Sequence, residues 1–96
     1  MPIFARLLTF PADDPHRMEV RSAHRAYVAD CFDRGEIISS GPWAENNGAL
    51  IVYSAPSRDE ALALIAADPY AVEGVQYDEV VREWNVVTPQ LTDPRD

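Results

Sequence analysis

The stretch Ile3-Phe4-Ala5-Arg6-Leu7-Leu8-Thr9-Phe10 carries apolar residues on both alternating faces, with Ile3, Ala5 and Leu7 on one side and Phe4, Leu8 and Phe10 on the other. Successive side chains of an extended strand point to opposite faces, so a strand of this kind is covered from both sides. Helices packed on one face of a small sheet can supply one cover. A second copy of the chain is the simplest source of the other, and the strand therefore predicts a homodimer. Arg6 is the odd member of the Phe4 and Leu8 face and reads as a snorkelling side chain in preference to a buried anion ligand.

The remaining elements follow from punctuation and periodicity. Asp14 can cap a helix whose first turn holds Pro15, where the missing N–H costs nothing. That helix runs to about Arg34, with Val20, Tyr27 and Cys31 at helical spacing, Ala23 and Val28 flanking them, and Gly35 placed for a left-handed C-terminal residue. Glu36 to Ser40 and Gly48 to Ser54 read as strands, separated by Gly41-Pro42 and an Asn46-Asn47-Gly48 turn. Ser57-Arg58-Asp59-Glu60 is a capping box for a second helix carrying Ala61, Leu62, Leu64 and Ile65, and Pro69 stops it at Asp68. Gln76 to Val87 is a final strand with Val80, Trp84 and Val86 on one face and Val81 on the other. The order β-α-β-β-α-β is the split βαβ pattern, an α+β, ferredoxin-like fold with an antiparallel sheet. Residues 1–87 form a single domain, and 88–96 are a flexible tail.

Composition narrows the function. The net charge is −8, all eight basic residues are arginine, and no basic stripe is present to neutralise phosphates, so nucleic acid is not an expected partner. No apolar run approaches the roughly 20 residues of a membrane span, and Met1-Pro2-Ile3-Phe4 enters a strand directly, so no membrane association and no leader are expected. The lone Cys31 has no internal disulfide partner, which suits a reducing, cytoplasmic compartment, and its place on a helix face makes it core filler. His16 and His24 lie eight residues apart with no third ligand at a useful spacing, so no metal is expected. Glycine-rich phosphate loops, CxxC pairs and Gly-x-Ser-x-Gly elbows are missing, and no cofactor is expected.

The chemistry-bearing candidates are few. His24 lies on the inward stripe of the first helix and can take or give a proton near neutral pH. Its bland reading is a buried imidazole bonded to a backbone carbonyl. Asp68 is either an ordinary Asp-Pro helix exit or a carboxylate that meets His24, since a residue midway along the first helix can approach the end of the second. Tyr70 and Tyr27 are either packing residues or phenols facing a ligand. Ser40 and the Gly41 N–H, at a strand end, form a turn or bind an oxyanion. Arg21 lies one turn before His24 and suits an anionic substrate or a surface carboxylate equally.

Taken in order, Arg21-Ser22-Ala23-His24, Gly35, Ser40-Gly41-Pro42, Ala61, Asp68-Pro69-Tyr70 and Gly74-Val75 make this chain resemble the YciI-like (YCII-related) family over most of its length. The resemblance implies a ferredoxin-like subunit that dimerises into an α+β barrel, with His24 and Asp68 as the catalytic pair and Tyr70, Ser40, Gly41 and Arg21 around a small-molecule substrate. The wider barrel group includes muconolactone isomerases and small monooxygenases, and YciI-like relatives are linked to dehydrochlorinase-type elimination. The expected function is therefore cofactor-free proton transfer, isomerisation or elimination, on a small cyclic or phenolic compound. The alternative is a non-catalytic ligand-binding or accessory domain in which His24 and Asp68 share a structural hydrogen bond. Ser22 and the short Asn46-Asn47-Gly48 loop depart modestly from the family pattern and bear on the rim of the pocket.

Overall fold

Strand β1 (Ile3–Thr9) forms the centre of a four-stranded antiparallel sheet, in a computed structural model that describes residues 1–75 and 77–88. It is followed by helix α1 (Pro15–Asp33), strands β2 (Ile37–Pro42) and β3 (Gly48–Ser54), helix α2 (Arg58–Ala66), a short helix α3 (Pro69–Val72) and strand β4 (Asp78–Glu83). The spatial order is β2-β3-β1-β4, with β1 pairing antiparallel to both β3 and β4. That is the α+β, ferredoxin-like arrangement expected from the sequence. Gln76, expected to open the last strand, and residues 89–96 of the expected tail lie outside the described residues.

The caps form where the sequence places them. Asp14 accepts a hydrogen bond from the His16 N–H at the start of α1, with Pro15 in the first turn, and Ser57 accepts from the Glu60 N–H at the start of α2. Gly35 adopts φ +78° just after α1, the left-handed conformation that glycine adopts without a Cβ penalty. The turn before β3 divides its tasks differently from the expectation. Asn46 takes the positive φ of 58°, whereas Gly48 is required by crowding, since a Cβ there would collide with the Leu8 carbonyl oxygen and the Trp43 ring.

One face of β1 and β3 is buried against the helices. Phe4, Leu8, Ile51 and Tyr53 join Cys31, Ala61, Ile65, Tyr70 and Val75 in the core. Cys31 is the buried core filler anticipated from its position. The opposite face carries Ala5, Leu7, Leu50 and Val80, and there Leu7, Val80 and Trp84 stay partly exposed.

Four local features depart from the sequence expectations. First, Arg6 does not snorkel: its side chain is 0% exposed, inside the helix-covered face. Second, Asp68 is not merely the end of α2, which finishes at Ala66 with Ala67 as its C-cap. Asp68 caps the extra helix α3, with Pro69 in its first turn. An Asp-Pro pair can leave one helix and start another, because proline is as well suited to a first turn as it is unsuited to an interior. Third, β4 ends at Glu83, well short of Val87. β1 begins at Ile3, whose carbonyl takes the Trp84 N–H, and beyond that point β1 offers no neighbour. Fourth, Ala23, placed on the flank of the inward stripe of α1, is exposed.

Candidate functional site: a buried Arg6-Asp68-His24 chain beside an arginine-lined cleft

Three elements bring the central residues together. β1 carries Arg6 on its helix-facing side, α1 packs on α3, and Asp68 stands at the junction of α2 and α3. His24 Nδ1 lies 2.7 Å from Asp68 Oδ1, and Arg6 Nη1 donates to Asp68 Oδ2 at 2.7 Å and to the Tyr53 hydroxyl at 3.0 Å. Asp68 Oδ1 also accepts the Tyr70 N–H at 2.9 Å, the capping bond of α3. Both carboxylate oxygens are thus engaged in a setting where the Asp68 and Arg6 side chains are fully buried. Glu79 on β4 adds a longer contact, its Oε1 lying 3.5 Å from Arg6 Nε.

Burial alone would push the Asp68 carboxyl up. Hydrogen bonds from His24, the Tyr70 N–H and Arg6, together with the charge of a protonated His24, outweigh it and hold Asp68 below the ordinary carboxylate range. The same pairing keeps Arg6 protonated against its own desolvation. Tyr53 is pushed up to about 12, chiefly by burial and in spite of Arg6, and therefore remains a neutral phenol at physiological pH.

These charges fix the tautomer of His24. An ionised carboxylate only accepts hydrogen bonds, so the Nδ1 that faces Asp68 must carry a proton, and a neutral ring then presents its lone pair at Nε2. Nε2 has no partner among the described residues. The ring orientation is set a second time by Tyr70, which stacks on it with centroids 3.7 Å apart and planes 2° from parallel.

His24 lines a cleft of about 360 Å³ between α1 and the β2–β3 edge, a volume in the range of small-molecule sites. Arg21, Ser40 and Gly41 line it too, together with apolar Val28, Pro42 and Ile51. A β-bulge at Ile38 explains how Ser40 comes to be there. Ile37 pairs with Tyr53 and Ser39 with Val52, so the extra residue changes the alternation and sets Ser40 opposite Ile51, on the helix-facing side. Four of the seven candidates singled out from sequence, His24, Arg21, Ser40 and Gly41, thus meet at one cleft. Asp68 lies behind His24. Tyr70, 3% exposed, is not part of the cleft wall but supports the imidazole from beneath. Tyr27 turns elsewhere, its hydroxyl donating to the Leu64 carbonyl at 2.6 Å.

Sequence reasoning missed Arg17 and the role of Arg6. Arg17, Arg21 and Arg25 recur every four residues along α1, and that spacing was a readable sign of one shared face; all three line the cleft. For Arg6 the sign was a cation in an otherwise apolar strand face. Among the described residues no group of three or more His, Cys, Asp or Glu side chains is placed to hold a metal ion, and no helix is long and apolar enough to cross a membrane.

A model of the YCII-related domain matches residues 4–85. No curated protein matches the chain. Among solved structures, the chain is similar to 5-chloro-2-hydroxyhydroquinone dehydrochlorinase from Burkholderia phenoliruptrix AC1100, in complex with 2,5-dihydroxybenzoquinone. The TM-score is 0.72 at 20% identity, covering 86% of this chain and 93% of the other, and the likeness is one of fold.

Proposed function

The chain belongs to the YCII-related domain family, and from that premise we propose that it is a small-molecule enzyme that moves a proton without a cofactor. His24 is the general acid/base, Asp68 fixes its tautomer, and the substrate is a small cyclic or phenolic compound held in the adjoining cleft. The observation that carries this reading is the 2.7 Å His24–Asp68 hydrogen bond at the wall of that cleft, with Nε2 left for a ligand. Nδ1–H stays on Asp68 throughout.

In the forward step Nε2 takes a proton from a substrate carbon, and the electron pair of the broken C–H bond forms a new C=C bond. In elimination a leaving group departs with its own electron pair from the neighbouring carbon. In isomerisation the pair is delocalised until the imidazolium returns its proton at another carbon. Asp68 stabilises the transient imidazolium, and Arg6 keeps Asp68 ionised and immobile between turnovers. Ser40 stands across the cleft, where its hydroxyl can donate to a developing oxyanion. A structure of the same fold is named a dehydrochlorinase, and that supports assaying elimination first.

The half-exposed apolar face of the sheet, with Leu7, Val80 and Trp84, supports a homodimer formed through it. Light scattering should give twice the monomer mass. A chain that stays monomeric at high concentration would remove this part of the proposal.

The experiment on the chemistry is a screen of chlorinated hydroquinones, lactones and related cyclic compounds with wild type and His24→Gln. Loss of about 10² to 10⁴ in turnover, with the fold retained, is the size expected for removing a general acid/base. Undiminished turnover in His24→Gln would leave a ligand-binding domain in which the His24–Asp68 bond is structural.

A further inference from the structure

Arg17 is 3% exposed, yet it has no carboxylate partner among the described residues. Its guanidinium lies over the Phe10 ring, 4.4 Å from the centroid, and Nη2 donates to the Ala12 carbonyl at 3.2 Å. Its Nε is buried without a hydrogen-bond partner. A buried cation is costly unless paired and hydrogen-bonded, and an aromatic face with one carbonyl answers only part of that cost. The same side chain lines the His24 cleft.

Its neighbours on the helix repeat the pattern. Arg21 and Arg25 follow one and two turns later and also line the cleft, and neither has a hydrogen bond or ion pair within the described part of the chain. No aspartate or glutamate among the described residues lines this cleft, although the chain carries 16 acidic residues against eight arginines. Three cations gathered without an acid on a strongly acidic protein make the cleft a local attractor for anions. Val28 beside them on α1, and Pro42 and Ile51 on the strands across the cleft, give it apolar lining.

We propose that Arg17 and Arg21 form an anion subsite in the His24 cleft, so that the substrate is a small organic carboxylate whose apolar body rests on Val28, Pro42 and Ile51. The subsite rests on the proton-transfer reading above and adds the substrate class to it. Arg17 supplies a buried, pre-oriented positive charge at the cleft wall, and Arg21, half-buried, supplies the second charge. Arg25, exposed at the rim, steers anions in. A carboxylate held here sets its neighbouring carbon near the His24 ring. The negative charge that develops when that carbon loses a proton then lies in the field of two guanidinium groups.

The test uses the full chain and benzoate, with benzyl alcohol as its uncharged counterpart, followed by ¹H–¹⁵N NMR of backbone and arginine Nε–H resonances at constant ionic strength. Benzoate is expected to shift the Arg17 Nε–H signal and the amides around Arg21 and Ser40, and to bind at least about tenfold more tightly than benzyl alcohol, the size of one charge-assisted hydrogen bond. Arg17→Met and Arg21→Met are each expected to weaken benzoate by about tenfold or more, while His24→Gln retains binding. Arg21 is only half-buried, and the benzoate comparison in wild type needs no variant, so the test stands even if Arg17→Met does not fold. Equal affinity for the two probes, benzoate shifts elsewhere on the surface, or no detectable benzoate binding would each overturn the subsite. Those results leave the His24 reading intact if His24→Gln still abolishes turnover. Retained turnover in His24→Gln sinks that reading without touching the subsite.

Discussion

Replacing Arg6 by methionine removes the cation from a pair whose side chains are both 0% exposed and whose N–O distance is 2.7 Å. Asp68 keeps its bonds to His24 and to the Tyr70 N–H but loses the permanent charge opposite it. Breaking a buried pair by removing one partner costs about 3–5 kcal/mol, because the survivor is left charged and desolvated. A domain of this size has a total stability of roughly 5–15 kcal/mol, so the variant should lose much of its margin. Asp68→Asn retains a side-chain oxygen for the α3 cap, and the double variant removes both charges while preserving the packing. Apolar or neutral replacements of a whole buried pair are often near neutral, so the double variant should cost at least about 2 kcal/mol less than the two single losses added together. Urea unfolding of the four proteins, followed by circular dichroism at neutral pH with unchanged m-values, measures each corner of this cycle. An Arg6→Met loss below about 1 kcal/mol, or simple additivity, would refute the claim that Arg6 and Asp68 stabilise each other.

The acid limb of stability follows from the depressed Asp68 carboxyl. The unfolded chain binds a proton on this carboxyl at about pH 4 and the folded chain only at lower pH, so the Asp68 contribution is complete above about pH 4 and fades as pH falls toward the folded value. Asp68→Asn should therefore flatten the loss of stability below pH 4 in urea titrations, and an unchanged acid slope would assign that slope to other carboxylates. Gly48→Ala should destabilise by about 1–3 kcal/mol, since its Cβ meets the backbone carbonyl of Leu8, which cannot swing away as a side chain can. A melting temperature unchanged within error in that variant would show that the β1–β3 approach yields easily.

The sequence carried the framework well, because the framework depends on local signals. Strand alternation in Ile3 to Phe10, the Asp14-Pro15 cap and Gly35 each act within a few residues, and each has its expected place in the fold. What escaped depends on partners far apart. Arg6 and Asp68 are 62 residues apart, and nothing next to Arg6 shows that its strand face closes over a carboxylate. The bulge at Ile38 that turns Ser40 toward the cleft arises from pairing with β3 and leaves no mark in Glu36 to Ser40 itself. Asp68-Pro69 was legible as a break but ambiguous in direction, since the same two residues that end α2 also begin α3. Tyr70 illustrates a further limit: its position beside Asp68 was plain, whereas its stacking beneath the His24 ring depends on how α1 meets α3.

The most direct test of the central claim, that Asp68 fixes the tautomer of His24, is ¹⁵N NMR of the neutral His24 ring in wild type and Asp68→Asn. The account predicts that the wild-type ring holds a single Nδ1–H tautomer when neutral, because the ionised Asp68 facing Nδ1 can only accept. A neutral wild-type ring protonated at Nε2, or one that mixes the two tautomers as freely as Asp68→Asn does, would contradict it.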